Sequence, residues 1–307
     1  MMSPKPVLVA TDLDRTMIYS RNASGASEPE TVCVEYLDGD PLSYMTVAAA
    51  RAMAELAAGA AVLPTTTRTI AQFGRIRLPG APWPFAVTSN GGNILVEGSP
   101  DVRWRRSVDA AVRAGGATLA EIGAALRDRI DDSWVLKYRE ADDLFCYLVV
   151  DLAATPADFL AEWDSWCRPR GWSASRQGRK IYTMPTAVCK SRAVAEVRDR
   201  LIATGRLDPS APILAAGDGA LDAEMLMAAD RGIRPRHGEL EELGWVHPGV
   251  SVTSATGILA GEEIVDWFTA ALPGRVTEPT AQIYADVYET RPGALGEVRA
   301  AIKERPT

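Results

Sequence analysis

Apolar residues fall along this chain in two alternating textures. Short runs such as Val7 to Thr11, Ala60 to Pro64, Phe85 to Thr88 and Ile213 to Ala216 are bounded by turn-forming residues, as buried strands are. Longer stretches with helical spacing lie between them. Thr46 to Ala58 is one, ended by Gly59; Ser191 to Ala203 and Asp222 to Ala229 are others. Thr69 stands where it can cap a further helix. Gly232 to Arg234 and Val250 to Val252 supply two more short strands. Val32 to Leu37 and Pro41 to Met45 flank Asp38-Gly39, a strong hairpin signal. Strands that alternate with helices predict an α/β fold, doubly wound around a mainly parallel, Rossmann-like sheet.

The middle of the chain reads differently. Val108 to Ile130 predicts one or two helices broken near Gly115-Gly116. Trp134 to Arg139 and Phe145 to Asp151 alternate like paired strands around a turn near Ala141-Asp142. Pro156 to Trp166 predicts a helix with Thr155 as its N-cap, and Trp172 to Arg176 and Lys180 to Met184 predict a second strand pair. This α-β-β-α-β-β order suits an antiparallel sheet with helices on one face. Residues 93–186 are therefore expected to form an inserted α+β cap domain, with 1–92 and 187–272 as the core. Residues 273–307 are expected to be a tail with one short helical stretch near Ala294 to Ile302.

Composition narrows the function more than the fold. With 307 residues, 47% hydrophobic and 24% charged, the chain has ordinary globular proportions. A net charge of -7 argues against a nucleic-acid binder. Cys33, Cys146, Cys167 and Cys189 form no CxxC pair, so buried free thiols are expected rather than a zinc site or disulfides. The opening Met-Met-Ser-Pro-Lys-Pro lacks the long apolar run of a signal peptide, and no stretch is apolar enough to span a bilayer. The expected setting is the cytoplasm, with no nucleic acid and no membrane as partner.

Four clusters carry candidate chemistry. Asp12-Leu13-Asp14-Arg15-Thr16 follows the first strand, where ligands of open α/β sheets bind. A carboxylate is already ionised at neutral pH, so Asp12 can attack phosphorus without a base, and Asp14 can move the protons. Thr65-Thr66-Thr67-Arg68 follows the next strand, with hydroxyls and N–H groups that suit phosphate oxygens. Lys190 falls in the first turn of a helix, where a cation opposes the helix dipole; a broken local rule points to function. Gly217-Asp218-Gly219-Ala220-Leu221-Asp222 puts two acids at a sharp turn. If the strand ends converge, Asp12, Asp14, Asp218 and Asp222 share one cleft. So much negative charge is sensible beside a phosphate only with a hard cation, for which Mg²⁺ is the usual choice.

Together these clusters resemble the four ordered signatures of the haloacid dehalogenase superfamily. The insertion resembles the α/β cap of the Cof-type, sucrose-phosphate and mannosyl-phosphoglycerate phosphatases, Ser89-Asn90-Gly91-Gly92 resembles their Asn-Gly step, and Thr256-Gly257-Ile258 their closing segment. The resemblance implies a phosphatase acting on a small phosphorylated metabolite through an aspartyl-phosphate on Asp12. It implies Asp14 as acid and base, and Thr66 and Lys190 holding phosphoryl oxygens. It implies Mg²⁺ on Asp12, the Asp14 carbonyl, Asp218 and Asp222. Thr67, Arg68, Asn90, Gly91 and Lys180 are expected to touch substrate. Arg15 stands where the family usually has Gly, and Leu221 where Cof-type members usually have Asn. The opening Asp-Leu-Asp-Arg-Thr-x-Ile-Tyr-Ser is similar to a bacterial subgroup encoded with tellurium-resistance-type stress genes, which hints at a sugar or nucleoside-like phosphate. Dehalogenases lack the second aspartate, so Asp14 favours phosphate chemistry. A phosphomutase or phosphotransferase using the same aspartyl-phosphate, or a non-catalytic binder of a phosphorylated ligand, are the alternatives.

Overall fold

Leu8–Thr11 forms β1, and all four of its residues are fully buried because the strand is covered on both faces. The computed structural model describes residues 3–27 and 29–272; the tail expected over 273–307, with its helical stretch, lies outside them. After β1 comes a flap, the hairpin of β2 (Thr31–Leu37) and β3 (Asp40–Thr46). It turns at Asp38 and Gly39, both at positive φ as a two-residue hairpin turn requires. The Thr46 hydroxyl accepts from the Ala49 N–H (2.9 Å) and so starts α1 (Val47–Gly59). After β4 (Ala61–Pro64), Thr69 and Gln72 make a capping box for the short α2 (Ile70–Phe73). β5 (Phe85–Thr88), β6 (Asn93–Val96) and β7 (Ser99–Pro100) form an antiparallel three-stranded sheet. That sheet straddles position 93, where the sequence pattern puts the start of the insertion.

β6 and β7 fall within the expected insertion and were not foreseen; from Val102 on, the elements come in the expected order. The inserted segment then runs through α3 (Val102–Gly115), α4 (Leu119–Arg127), β8 (Val135–Ala141), β9 (Phe145–Val150), α5 (Phe159–Cys167), β10 (Trp172–Gln177) and β11 (Lys180–Pro185). Its four strands make one antiparallel sheet in the order β10-β11-β9-β8. One expectation fails here. α5 begins at Phe159, and Thr155 is not its cap, because the Thr155 hydroxyl donates instead to the Asp151 carbonyl at 2.6 Å.

The chain then completes the central sheet through α6 (Lys190–Ala203), β12 (Ile213–Ala216), α7 (Ala223–Ala228), β13 (Arg231–Arg234), α8 (Glu239–Glu242), β14 (Val250–Val252) and α9 (Ile258–Ala270). Its five strands are all parallel, in the order β14-β13-β12-β1-β4. The period-2 geometry of β1 divides the core. Val7 and Val9 pack on one face with Met53 and Leu56 of α1 and Ile264 and Phe268 of α9. Leu8 and Ala10 pack on the other with Val194 and Val197 of α6 and Leu226 of α7, and this second cluster runs on into Trp104, Trp163 and Trp172 of the insertion. Each such large side chain contributes about 1.5–3 kcal/mol of burial free energy. The architecture is thus a doubly wound parallel sheet with an added antiparallel α+β layer. Among the described residues no helix is long and apolar enough to cross a membrane. All four cysteines are free; Cys146 and Cys167 are buried, but Cys33 and Cys189 are half-buried rather than buried.

Candidate active site

Strand register brings the first and fourth clusters together. β1 and β12 are parallel neighbours with Thr11 opposite Ala216, so Asp12 and Gly217-Asp218 leave the sheet side by side. The Asp12 N–H donates to the Ala216 carbonyl at 2.9 Å. Gly217 lets the turn fold back: a Cβ there would lie 2.4 Å from the Asp222 Cβ. Carboxylate oxygens of Asp12, Asp218 and Asp222 lie within 4.8 Å of one another, all buried. On the other side of β1, Thr11 faces Pro64, so Thr65 to Thr67 emerge next to Asp12. Thr66 is fully buried, and its hydroxyl oxygen accepts from the Arg68 N–H (3.1 Å), which leaves its own proton free to donate.

Lys190 is the first residue of α6 and only 1% exposed. Its Nζ donates to Asp12 Oδ1 and Asp222 Oδ1, each at 2.6 Å. Burial disfavours the ammonium, but the two carboxylates outweigh it and hold the Lys190 pKa above its ordinary value. Burial pushes the Asp12 carboxyl up to about 7; Lys190 opposes this, while Asp222 and Asp14 add to it. Asp218 is pushed well above the carboxylate range by burial and then by Asp12 and Asp222. Two oxygens stay unsatisfied: Asp12 Oδ2 and Asp218 Oδ2 are buried with no hydrogen-bond partner. A buried carboxylate oxygen without a donor is costly, so both fit a ligand that supplies positive charge. An all-oxygen set of this kind suits a hard divalent cation. The Asp14 side chain does not belong to this group of three.

Asp14 faces the other way, into a cavity of about 430 Å³ walled by the first loop, the flap and the insertion. That volume lies within the range of small-molecule sites. Arg68 grips Asp14 with two hydrogen bonds of 2.7 Å. Burial works against the Asp14 charge, but this fork overcomes it and holds the carboxyl below the usual range. Arg68 and Lys180 line the cavity. Thr67 is buried and is not in the wall. Asn90 and Gly91 are not in the wall either; they brace the turn before Lys190. Asn90 donates to the Val188 carbonyl at 3.1 Å, and a Cβ on Gly91 (φ 96°) would lie 2.2 Å from the Cys189 oxygen. Trp134 and Trp172 are buried among the side chains of the insertion, with Trp134 edge-on to Phe159.

Three participants were not singled out from sequence. Glu35 of the flap is 1% exposed and accepts from Arg68 (2.7 Å), Arg75 (3.1 Å) and Ser43 (2.6 Å). A bulge between Cys33 and Glu35 turns both Val34 and Glu35 inward, which breaks the alternation that would have marked it. Gln177, at the end of β10, donates to Asp218 Oδ1 at 3.0 Å and so ties the insertion to the carboxylate cluster. His237 is a half-buried brace, not a bare surface residue. Its Nδ1 accepts from the Gly257 N–H (3.2 Å), which leaves the proton on Nε2 to donate to the Arg15 carbonyl (2.8 Å). Burial holds its pKa below the ordinary value, consistent with this neutral tautomer. The insertion is pinned at a second point: Asp142, in the β8–β9 turn, accepts from the Ile70 N–H, the Ser89 hydroxyl and the Asn93 amide.

Several solved structures share this fold. The sucrose-phosphatase of Synechocystis sp. PCC6803, solved with sucrose and phosphate, superposes with a TM-score of 0.61 at 15% identity over 86% of this chain and 98% of that one. A trehalose-6-phosphate phosphatase related protein gives 0.51 at 18% identity, covering 86% and 97%. A haloacid dehalogenase subclass IIB sugar phosphatase gives 0.50 at 11% identity, covering 85% and 98%. No family model and no curated protein matches the sequence. At such identities the likeness establishes the fold alone: a doubly wound, Rossmann-like α/β core with an added antiparallel α+β layer.

Proposed function

We propose that this protein is a magnesium-dependent phosphatase of the haloacid dehalogenase type, hydrolysing a small sugar phosphate through an aspartyl-phosphate on Asp12. The observation that carries the proposal is the buried cluster in which Lys190 bridges Asp12 and Asp222 while Asp12 Oδ2 and Asp218 Oδ2 have no hydrogen-bond partner. In this reading Asp12, Asp218, Asp222 and the Asp14 carbonyl hold Mg²⁺, and residues 93–186 act as the cap over the core. Bound magnesium would neutralise charge on the carboxylates and on the phosphoryl oxygens.

The chain's own groups then divide the work. An Asp12 oxygen attacks phosphorus, and the bond from phosphorus to the ester oxygen breaks. Thr66 and Lys190 hold the phosphoryl oxygens. Asp14 gives its proton to the leaving oxygen; it takes one back from the water that later attacks the aspartyl-phosphate, releasing phosphate and free Asp12. Arg68 keeps Asp14 ionised, so Asp14 must exchange that partner before it can carry a proton. A sugar suits the cavity better than a nucleobase, because Tyr182 is the one aromatic residue in its wall and Ser20, Ser43, Gln72 and Gln177 offer hydrogen bonds.

The test is release of inorganic phosphate from p-nitrophenyl phosphate and a panel of sugar phosphates. Activity is expected with millimolar Mg²⁺ and loss of it with a chelator; equal turnover with and without the cation would refute the assignment.

Metal and pH should also be linked in stability. The folded Asp12 pKa lies above the ordinary unfolded value, so the folded protein binds the extra proton. Stability from this source is complete below about pH 4 and is lost as pH rises through about 7. A cation that binds the ionised carboxylates works in the opposite sense. Added Mg²⁺ should therefore raise Tm strongly at pH 8 and little at pH 5, read by circular dichroism melts. An equal rise at both pH values would contradict the proposed ligands.

A further inference from the structure

The cavity wall carries a charge imbalance that the transferred phosphoryl group does not need. Arg15, Arg68, Arg75, Arg179 and Lys180 all line it, against two carboxylates, Asp14 and Glu35. The whole chain is acidic, with a net charge of -7, so this is no reflection of a generally basic surface. The pairing inside the wall is incomplete. Arg68 uses both carboxylates, and Arg75 must share Glu35 with it. Arg15 reaches Asp218 only at 3.6 Å, and Asp218 belongs to the buried cluster behind the wall. Among the described residues no carboxylate forms an ion pair with Arg179 or Lys180. Both stand in the β10–β11 hairpin of the insertion, where the Lys180 Nζ lies over the Tyr147 ring, 5.6 Å from its centre.

Cations gathered in a concave site with low-dielectric walls concentrate the field on whatever enters. The phosphoryl group has its own cradle deeper in, with Thr66, Lys190 and the carboxylate cluster. We infer that the substrate carries a second anionic group, a carboxylate or a second phosphate, on the part of the molecule that lies against Arg75, Arg179 and Lys180. This rests on the phosphatase reading and deepens it: a phosphate ester with no other charge would leave Arg179 and Lys180 without an ion-pair partner among the described residues and Arg75 with only a shared one. Arginine suits either group, since its planar fork binds carboxylate and phosphate in the same bidentate way.

Matched pairs of esters test this on the full-length protein with Mg²⁺. One pair is 3-phosphoglycerate and glycerol 3-phosphate; the other is fructose 1,6-bisphosphate and fructose 6-phosphate. In at least one pair the doubly anionic member is expected to have the higher kcat/KM, by roughly 30-fold or more, mostly through KM. A preference confined to the first pair identifies a carboxylate, and one confined to the second a phosphate. Arg179→Gln and Lys180→Gln, both at exposed positions where folding is not at stake, should each cut that preference about tenfold. Added salt should cut it too, because the contacts are partly open to solvent. If p-nitrophenyl phosphate is hydrolysed but both pairs are turned over within threefold, the second anion is wrong and the phosphatase reading stands. The second anion is equally overturned if the two variants slow both members of a pair alike, since the cations then serve the transferred group itself. If nothing releases phosphate under any condition, the parent reading fails and takes this inference with it.

Discussion

Asp12→Asn is expected to lower phosphate release by at least ~10⁴-fold while the protein still folds. The amide has the shape of the carboxylate but cannot attack phosphorus. It also removes a buried charge whose pKa burial has pushed to about 7. The variant's Tm in the absence of Mg²⁺ at pH 8 should therefore match or exceed that of the parent. Lys190 keeps Asp222 as its ion-pair partner. The two measurements separate chemistry from folding. Activity retained at more than a hundredth of the parent's, in a folded variant, would remove Asp12 from the nucleophile's role.

Lys190→Met should be the most destabilising single change in the site. It deletes the one cation placed between Asp12 and Asp222 and leaves two buried carboxylates facing each other. Removing one partner of a buried ion pair costs about 3–5 kcal/mol. The loss should be larger at pH 8 than at pH 5, because at the lower pH Asp12 takes up a proton and the repulsion is relieved. Millimolar Mg²⁺ should restore part of the stability by sitting among the same carboxylates, but it should not restore turnover. Denaturant unfolding at two pH values, with and without Mg²⁺, reads all of this. An unchanged unfolding midpoint would mean that Lys190 is a bystander.

How much of this was legible in the sequence depends on what kind of contact each residue makes. Asp12 and Asp218 could be placed together because neighbouring parallel strands deliver their following residues to one edge, and strand ends can be read from apolar runs. Lys190 was visible as a cation in the wrong place on a helix. Glu35 was not, since its burial depends on a bulge that no alternation pattern records. Gln177 was not, because its contact with Asp218 spans two sheets far apart in sequence. Asn90 and Gly91 stood out by motif, but motif could not say that they brace the Cys189 turn. α9 has helical spacing in Ile258, Ile264, Val265 and Phe268. It begins at Gly257 without a side-chain cap, however, so the usual start signal is missing.

Asp142 gives the added layer an anchor. One carboxylate oxygen receives donors from two separate segments, Ile70 of the core on one side and Ser89 and Asn93, at the junction of core and insertion, on the other. A carboxylate held by donors from two segments orders the β8–β9 turn against both of them. β9 runs from the Asp142 turn to Val149, which pairs with Lys180, so one strand joins that turn to the β10–β11 hairpin. The layer is therefore fastened to the core at both ends of that strand, once at Asp142 and once where Gln177 meets Asp218.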